Sequence, residues 1–140
     1  VSRKEFWEML GKLKKQGITI IVSTPYMDEA TLCDRIALIQ NGSIMSINTP
    51  GNIVQRFPKP LFAAKADNIY KLLHDLRADA EVESCYAFGE YIHLTMKAND
   101  ADALSVMRVA GRNNLEGLEV KLITPTIEDS FICLMNENSE

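Results

Sequence analysis

The sequence predicts a mixed α/β protein in two parts, residues 1–57 and 61–140, joined by a linker at 58–60. Three observations carry this. An amphipathic helical pattern over 1–16 runs into ITIIVS, residues 18–23. That stretch is β-branched and apolar on both faces, as in a strand buried between helices of an α/β unit. Phe57-Pro58-Lys59-Pro60 then breaks the pattern, because two prolines frame an extended segment. Beyond it, helical and alternating segments follow in the order β-α-β-β-α-β.

In the first helix, Phe6, Met9, Leu10 and Leu13 form one apolar stripe at helical spacing. Ser2 and Glu5 make a capping box, Lys14 and Lys15 suit the C-terminal dipole, and Gly17 supplies a left-handed stop. Ser23 and Thr24 put small polar groups at the C-terminal end of the expected strand, where α/β sheets bind ligands. The plainer reading is a strand-to-helix turn, with Thr24 as cap and Pro25 as first helical residue. Asp28 and Glu29 then fall in the first turn of that helix. Residues 35–40 and 43–48 form a hairpin around Asn41-Gly42, a pair that tolerates the positive φ values of a two-residue turn. A short helix is expected over 50–56.

In the second part, strands are expected at 61–66, 82–87, 90–96 and 118–122, and helices at 68–78 and 100–112. Ile69, Leu72, Leu73 and Leu76 share one helix face. Ile92, Leu94 and Met96 alternate with Tyr91, His93 and Thr95, which places His93 outward on its strand. This element order is the α+β ferredoxin-like arrangement. A final helix starts at Thr124-Pro125, buries Ile127, Phe131, Leu134 and Met135, and ends in a tail, NENSE, expected to fray.

The chain has 140 residues, a net charge of −4 and 46% hydrophobic residues. That is ample for a core, and the mild acidity argues against nucleic acid as a partner. Cys33, Cys85 and Cys133 form no C-x-x-C pair and read as free thiols in a reducing compartment. The longest apolar run, 18–22, is too short for membrane insertion. Residues 1–16 are charged and amphipathic, unlike a signal peptide. A cytoplasmic location follows as the expectation. His74 and His93 read as surface histidines, and no metal site is expected. Glu128-Asp129 read as dipole-matching residues, and Tyr86, Phe88 and Tyr91 as cross-strand packing or a contact surface for a partner or effector.

STPYMDEATLCDRIALIQNGSIMSINTP resembles the stretch from the switch loop to the end of an ABC-transporter ATPase core. Ser23-Thr24, Met27, Glu29-Ala30, Cys33 to Ile36, Asn41-Gly42 and Thr49-Pro50 match in order and spacing. VSRKEFWEML resembles the segment after that family's D-loop. TPTIEDSFICLM is similar to the end of drug, antibiotic and sodium exporter ATPase subunits. The resemblance implies a parent that binds ATP and magnesium, pairs with a second nucleotide-binding subunit and drives export through a membrane permease. It also implies a place at the inner face of the membrane.

One position departs from the family. Pro25 stands where a histidine is usual, and that histidine contacts the γ-phosphate. Proline offers neither a side-chain hydrogen bond nor an N–H. The resemblance leaves two readings: the parent's ATPase site is weak or degenerate, or Thr24, Tyr26 or a partner subunit supplies the contact. No G-x-x-x-x-G-K-[ST] occurs in the chain, and no two of its 7 glycines are five apart. The family's phosphate-binding parts precede the point where this sequence starts. So the chain reads as a C-terminal ABC ATPase portion with no complete catalytic set and no bound cofactor, inactive alone. Strand 18–23 would then lack its sheet neighbours, and either self-association through residues 1–57 or their rearrangement is expected. The alternative is a stand-alone ferredoxin-like ligand-sensing or protein-interaction module without ATPase activity.

Overall fold

Ser2 starts the first helix as its sequence predicts. In the computed structural model, which describes residues 1–137, helix α1 spans Arg3–Lys15. The Ser2 hydroxyl accepts from Glu5 N, and the Glu5 carboxylate accepts from Ser2 N. Gly17 N–H and Ile18 N–H close the other end onto Lys14 and Leu13 carbonyls, a Schellman pattern. The helix fully buries no residue: of the predicted stripe, Phe6 and Met9 are exposed and Leu10 and Leu13 only half-buried.

The chain divides into two units, Val1–Arg56 with the chain from Thr126 on, and Phe57–Pro125. In the first unit, α2 (Met27–Ala30) is followed by strands β1 (Ile36–Gln40) and β2 (Ser43–Asn48), then by α3 (Pro50–Gln55). Asn41 and Gly42 turn the hairpin with φ of 50° and 76°. A bulge between Leu38 and Ile39 skips Met45 in the register. Thr49 caps α3, with Pro50 in its first turn.

Residues 18–23 correct the sequence reading, because they are not a strand here. The sheets are β1-β2 and a four-stranded sheet, and neither contains this segment. A buried parallel strand exists only through its neighbours' hydrogen bonds and side chains. Without them the apolar pattern faces solvent: Ile21 is 95% exposed and Ile18 47%.

The terminal helix α6 (Ile127–Glu137) is a second correction. It groups with the first unit, not with the accessory part expected over 61–140. Ile127 is buried among Ala30, Ile36, Leu38 and Ile53, and Phe131 and Leu134 pack against them. The cluster needs those side chains to close, which outweighs chain proximity. Of the tail expected to fray, Asn136 and Glu137 lie in α6 and residues 138–140 lie outside the described residues.

The second unit contains β3 (Leu61–Lys65), α4 (Ile69–Ala78), β4 (Val82–Phe88), β5 (Tyr91–Met96), α5 (Ala103–Ala110) and β6 (Glu119–Ile123). Its sheet has the order β4-β5-β3-β6, with every pair antiparallel. Asn68 and Asp102 cap the two helices through their side chains. Leu72 and Leu76 of α4 and Val106 and Val109 of α5 join Phe62, Ala64, Ile92, Leu94 and Met96 in one core. Burial of this kind supplies about 25 cal/mol per Å² of apolar surface. The other face of β5 is covered too. His93 is 6% exposed and Thr95 5%, so His93 is not the surface histidine its alternation implied. The Thr95 hydroxyl shares a 2.7 Å hydrogen bond with Ser84. His74, by contrast, is exposed.

Candidate functional site

The loop around Pro25 is held by three side chains from two helices and the turn between them. The Thr24 hydroxyl donates to Glu29 Oε2 at 2.6 Å and accepts from Tyr26 N at 3.1 Å. That local turn delays helix α2 until Met27, with Tyr26 as its N-cap residue. Pro25 therefore lies in the loop and not at the first helical position, and Thr24 caps no helix. Asp28 and Glu29 do occupy the first turn.

Arg3, at the start of α1, completes the arrangement. Its Nε donates to Glu29 Oε1 at 2.7 Å, and its guanidinium lies 4.1 Å from the Tyr26 ring centroid. It also reaches both oxygens of Asp28 at 3.4 Å. Glu29 has little exposed side chain (11%), and the Thr24 hydrogen bond, then Arg3, hold its carboxyl below the usual range. The same Glu29 contact pushes the Arg3 guanidinium further up. Sequence reading missed the Arg3–Glu29 pair, since 26 residues separate them and no helical spacing relates them.

Ser23, Pro25 and Tyr26 remain exposed. Tyr26 is 54% exposed with its ring against Arg3. This set offers one aliphatic hydroxyl and one phenol beside a guanidinium. Such groups can flank a phosphate, but no lysine or glycine-rich loop here could cradle one.

The aromatic residues near Gly89 are engaged with their own sheet. Phe88 stacks on His93 with centroids 4.1 Å apart, and Tyr86 lies 5.9 Å from the same ring. Lys121 and Lys65 stand 4.4 and 5.4 Å from the Tyr91 centroid. Among the described residues, no three His, Cys, Asp or Glu side chains are grouped to hold a metal ion. Cys33, Cys85 and Cys133 form no disulfide and are half-buried, and burial raises the thiol pKa of Cys33 and Cys85. No described helix is long and apolar enough to cross a membrane.

No family model matches the chain. It is 28% identical, over 145 aligned positions, to the daunorubicin/doxorubicin resistance ATP-binding protein DrrA of Streptomyces peucetius, covering 95% of this chain and 42% of that protein. The doxorubicin resistance ATP-binding protein DrrA of Mycobacterium tuberculosis is 24% identical, covering 99% of this chain and 44% of that protein. The chain is a relative of ABC-transporter ATP-binding proteins. This ABC relative also shares 38% identity over 53 residues with the "Probable multidrug ABC transporter ATP-binding protein YbhF" of Escherichia coli, 38% of this chain and 9% of that protein. It spans less than half the length of each of these proteins.

Proposed function

We propose that Val1–Arg56 and the terminal helix form the trailing part of the ATPase core of an ABC-transporter ATP-binding subunit. Residues 57–125 are then a ferredoxin-like accessory domain, regulatory or dimer-stabilising. The observation that carries this reading is the likeness to DrrA across 95% of the chain. The strand order β4-β5-β3-β6 around two helices supports the accessory assignment.

In the intact subunit, ATP and magnesium are held mainly by segments outside this chain, and hydrolysis is coupled to export through a membrane permease. The subunit pairs with a second nucleotide-binding subunit at the cytoplasmic face of the membrane. This chain contributes the loop Ser23 to Tyr26. Thr24 fixes that loop because its hydroxyl is committed to Glu29. Pro25 brings no donor to the position that faces the terminal phosphate, which leaves Ser23 or Tyr26 to supply one.

The test is ATP binding and turnover by the full-length protein that contains these residues, with native Pro25 and with Pro25→His. Turnover is expected, and more of it with Pro25→His. A full-length protein that neither binds nor hydrolyses ATP sinks the transporter reading. Equal or lower turnover with Pro25→His sinks only the role given to position 25.

A further inference from the structure

We propose that β6 is a docking edge for a second copy of this chain, joined antiparallel so that the two four-stranded sheets become one. β6 is the last strand of its sheet and pairs only with β3 among the described residues. That ladder runs from Leu61↔Ile123 to Lys65↔Glu119 without a shift. The opposite edge, β4, is built against pairing. It carries an irregularity between Val82 and Ser84, and the Glu83 carboxylate at that point is held by Lys59 at 2.7 Å. Bulges and charges are the devices that blunt a sheet edge. β6 has no bulge, and its charges come as a complementary pair.

Residues 118–122 read Leu-Glu-Val-Lys-Leu, which is self-complementary in antiparallel register. A two-fold axis through Val120 sets Glu119 of each copy opposite Lys121 of the other. On the opposite side of the ladder it sets Leu118 against Leu122, and Val120 against Val120. The contact is isologous and closes as a dimer. The side chains it needs are accessible. Glu119 has 66% of its side chain exposed, and Leu122 is 64% exposed. On the helix-covered side, Leu104 and Met107 of α5 are also exposed, and a cavity of ≈ 330 Å³ at this edge is lined by Met107, Leu118 and Val120 and, from the other face, by Tyr91, Glu119 and Lys121. Lys65 holds Glu119 at 3.4 Å, so in the dimer this carboxylate lies between Lys65 and Lys121 of the second copy.

The test is sedimentation velocity on the 140-residue chain over a range of concentrations. The variants are Glu119→Lys, Lys121→Glu, the double swap, and an equimolar mixture of the two single variants. The native chain is expected to dimerise. Each single variant opposes like charges twice and weakens association by roughly tenfold. The double swap restores it, and so does the mixture, because one copy then offers two lysines and the other two glutamates. Leu122→Lys is expected to weaken association through the apolar side of the same edge. Circular dichroism confirms that each variant is folded. A monomeric native chain overturns the proposal. So does association that survives every substitution, which would point to the exposed residues 18–22, and so does failure of the mixture to recover.

Discussion

The Thr24 hydroxyl donates a 2.6 Å hydrogen bond to one oxygen of Glu29, and Arg3 donates to the other at 2.7 Å. Thr24 also accepts from Tyr26 N, so one side chain fixes both ends of the Pro25 loop. Thr24→Val keeps the shape and removes both hydrogen bonds. A loss of about 1 kcal/mol is expected, read from the urea midpoint. An unchanged midpoint would mean that the loop is held by Arg3 and the Tyr26 ring alone.

Glu81 is gripped by two arginines. Arg108 donates to it at 2.6 and 3.2 Å, and Arg112 bridges Glu81 and Asp79. The Arg108 hydrogen bonds, then those of Arg112, lower its pKa to about 2. A carboxyl depressed in the folded state contributes stability above its unfolded pKa, about 4.3, and that contribution is lost as pH falls through about 2. Glu81→Gln should therefore flatten the fall of stability across that window. Parallel urea midpoint profiles for both proteins would exclude this role.

Gly117 and Gly42 both have positive φ, 66° and 76°. At Gly42 an added Cβ meets nothing within 4 Å, so Gly42→Ala costs only the backbone term, about 1–2 kcal/mol. At Gly117 the Cβ would lie 2.2 Å from Asp67 Oδ1. Gly117→Ala should lower the melting temperature more than Gly42→Ala, and adding Asp67→Ala should recover the difference. Equal shifts for the two single variants would show that Asp67 simply moves aside.

Asp129 is fully buried and accepts from both Thr126 N, at 2.7 Å, and the Thr126 hydroxyl, at 2.9 Å. Thr126→Ala should cost about 1 kcal/mol, as other lost caps do. Asp129→Ala should cost more, on the order of 2 kcal/mol, because it strands a Thr126 donor. Chemical denaturation measures both, and a smaller loss for Asp129→Ala would contradict the capping role.

Leu72 is completely buried and Ile21 is 95% exposed, though both sit in apolar stretches of sequence. Leu72→Ala is expected to cost about 2–5 kcal/mol. Ile21→Ala should fall within about 0.5 kcal/mol of the native chain. Similar losses at both positions would show that residues 18–22 are covered in solution.

Local signals proved readable where the cause was local. Ser2 with Glu5, Asn41 with Gly42, and Thr49 with Pro50 each fix a cap or a turn through neighbours in the chain. Alternation located β5 but not the environment of its second face. His93 is buried because Phe88 and Tyr86, on the adjacent strand, lie against its ring. The 18–23 pattern reported hydrophobicity correctly, but hydrophobicity alone cannot make a strand without partners. At the candidate site, Ser23 to Tyr26 were legible as a loop. The Arg3–Glu29 contact that organises it was not, because it arises from tertiary approach. The TIED run at 126–129 contained a reciprocal cap, yet Asp129 read as a dipole match, since burial is not visible in a four-residue spacing.

The grouping of α6 with the first unit has a consequence for biosynthesis. The second unit is continuous, whereas the first has its buried Ile127 after the end of that second unit. On the ribosome, residues 57–125 can complete their core before the earlier residues can complete theirs. At about 5–20 residues per second, the apolar cluster of Ile36, Leu38 and Ile53 waits several seconds for its last member. Residues 36–53 are made before the second unit and their cluster closes after it, and during that interval its apolar side chains depend on whatever else is at hand to cover them.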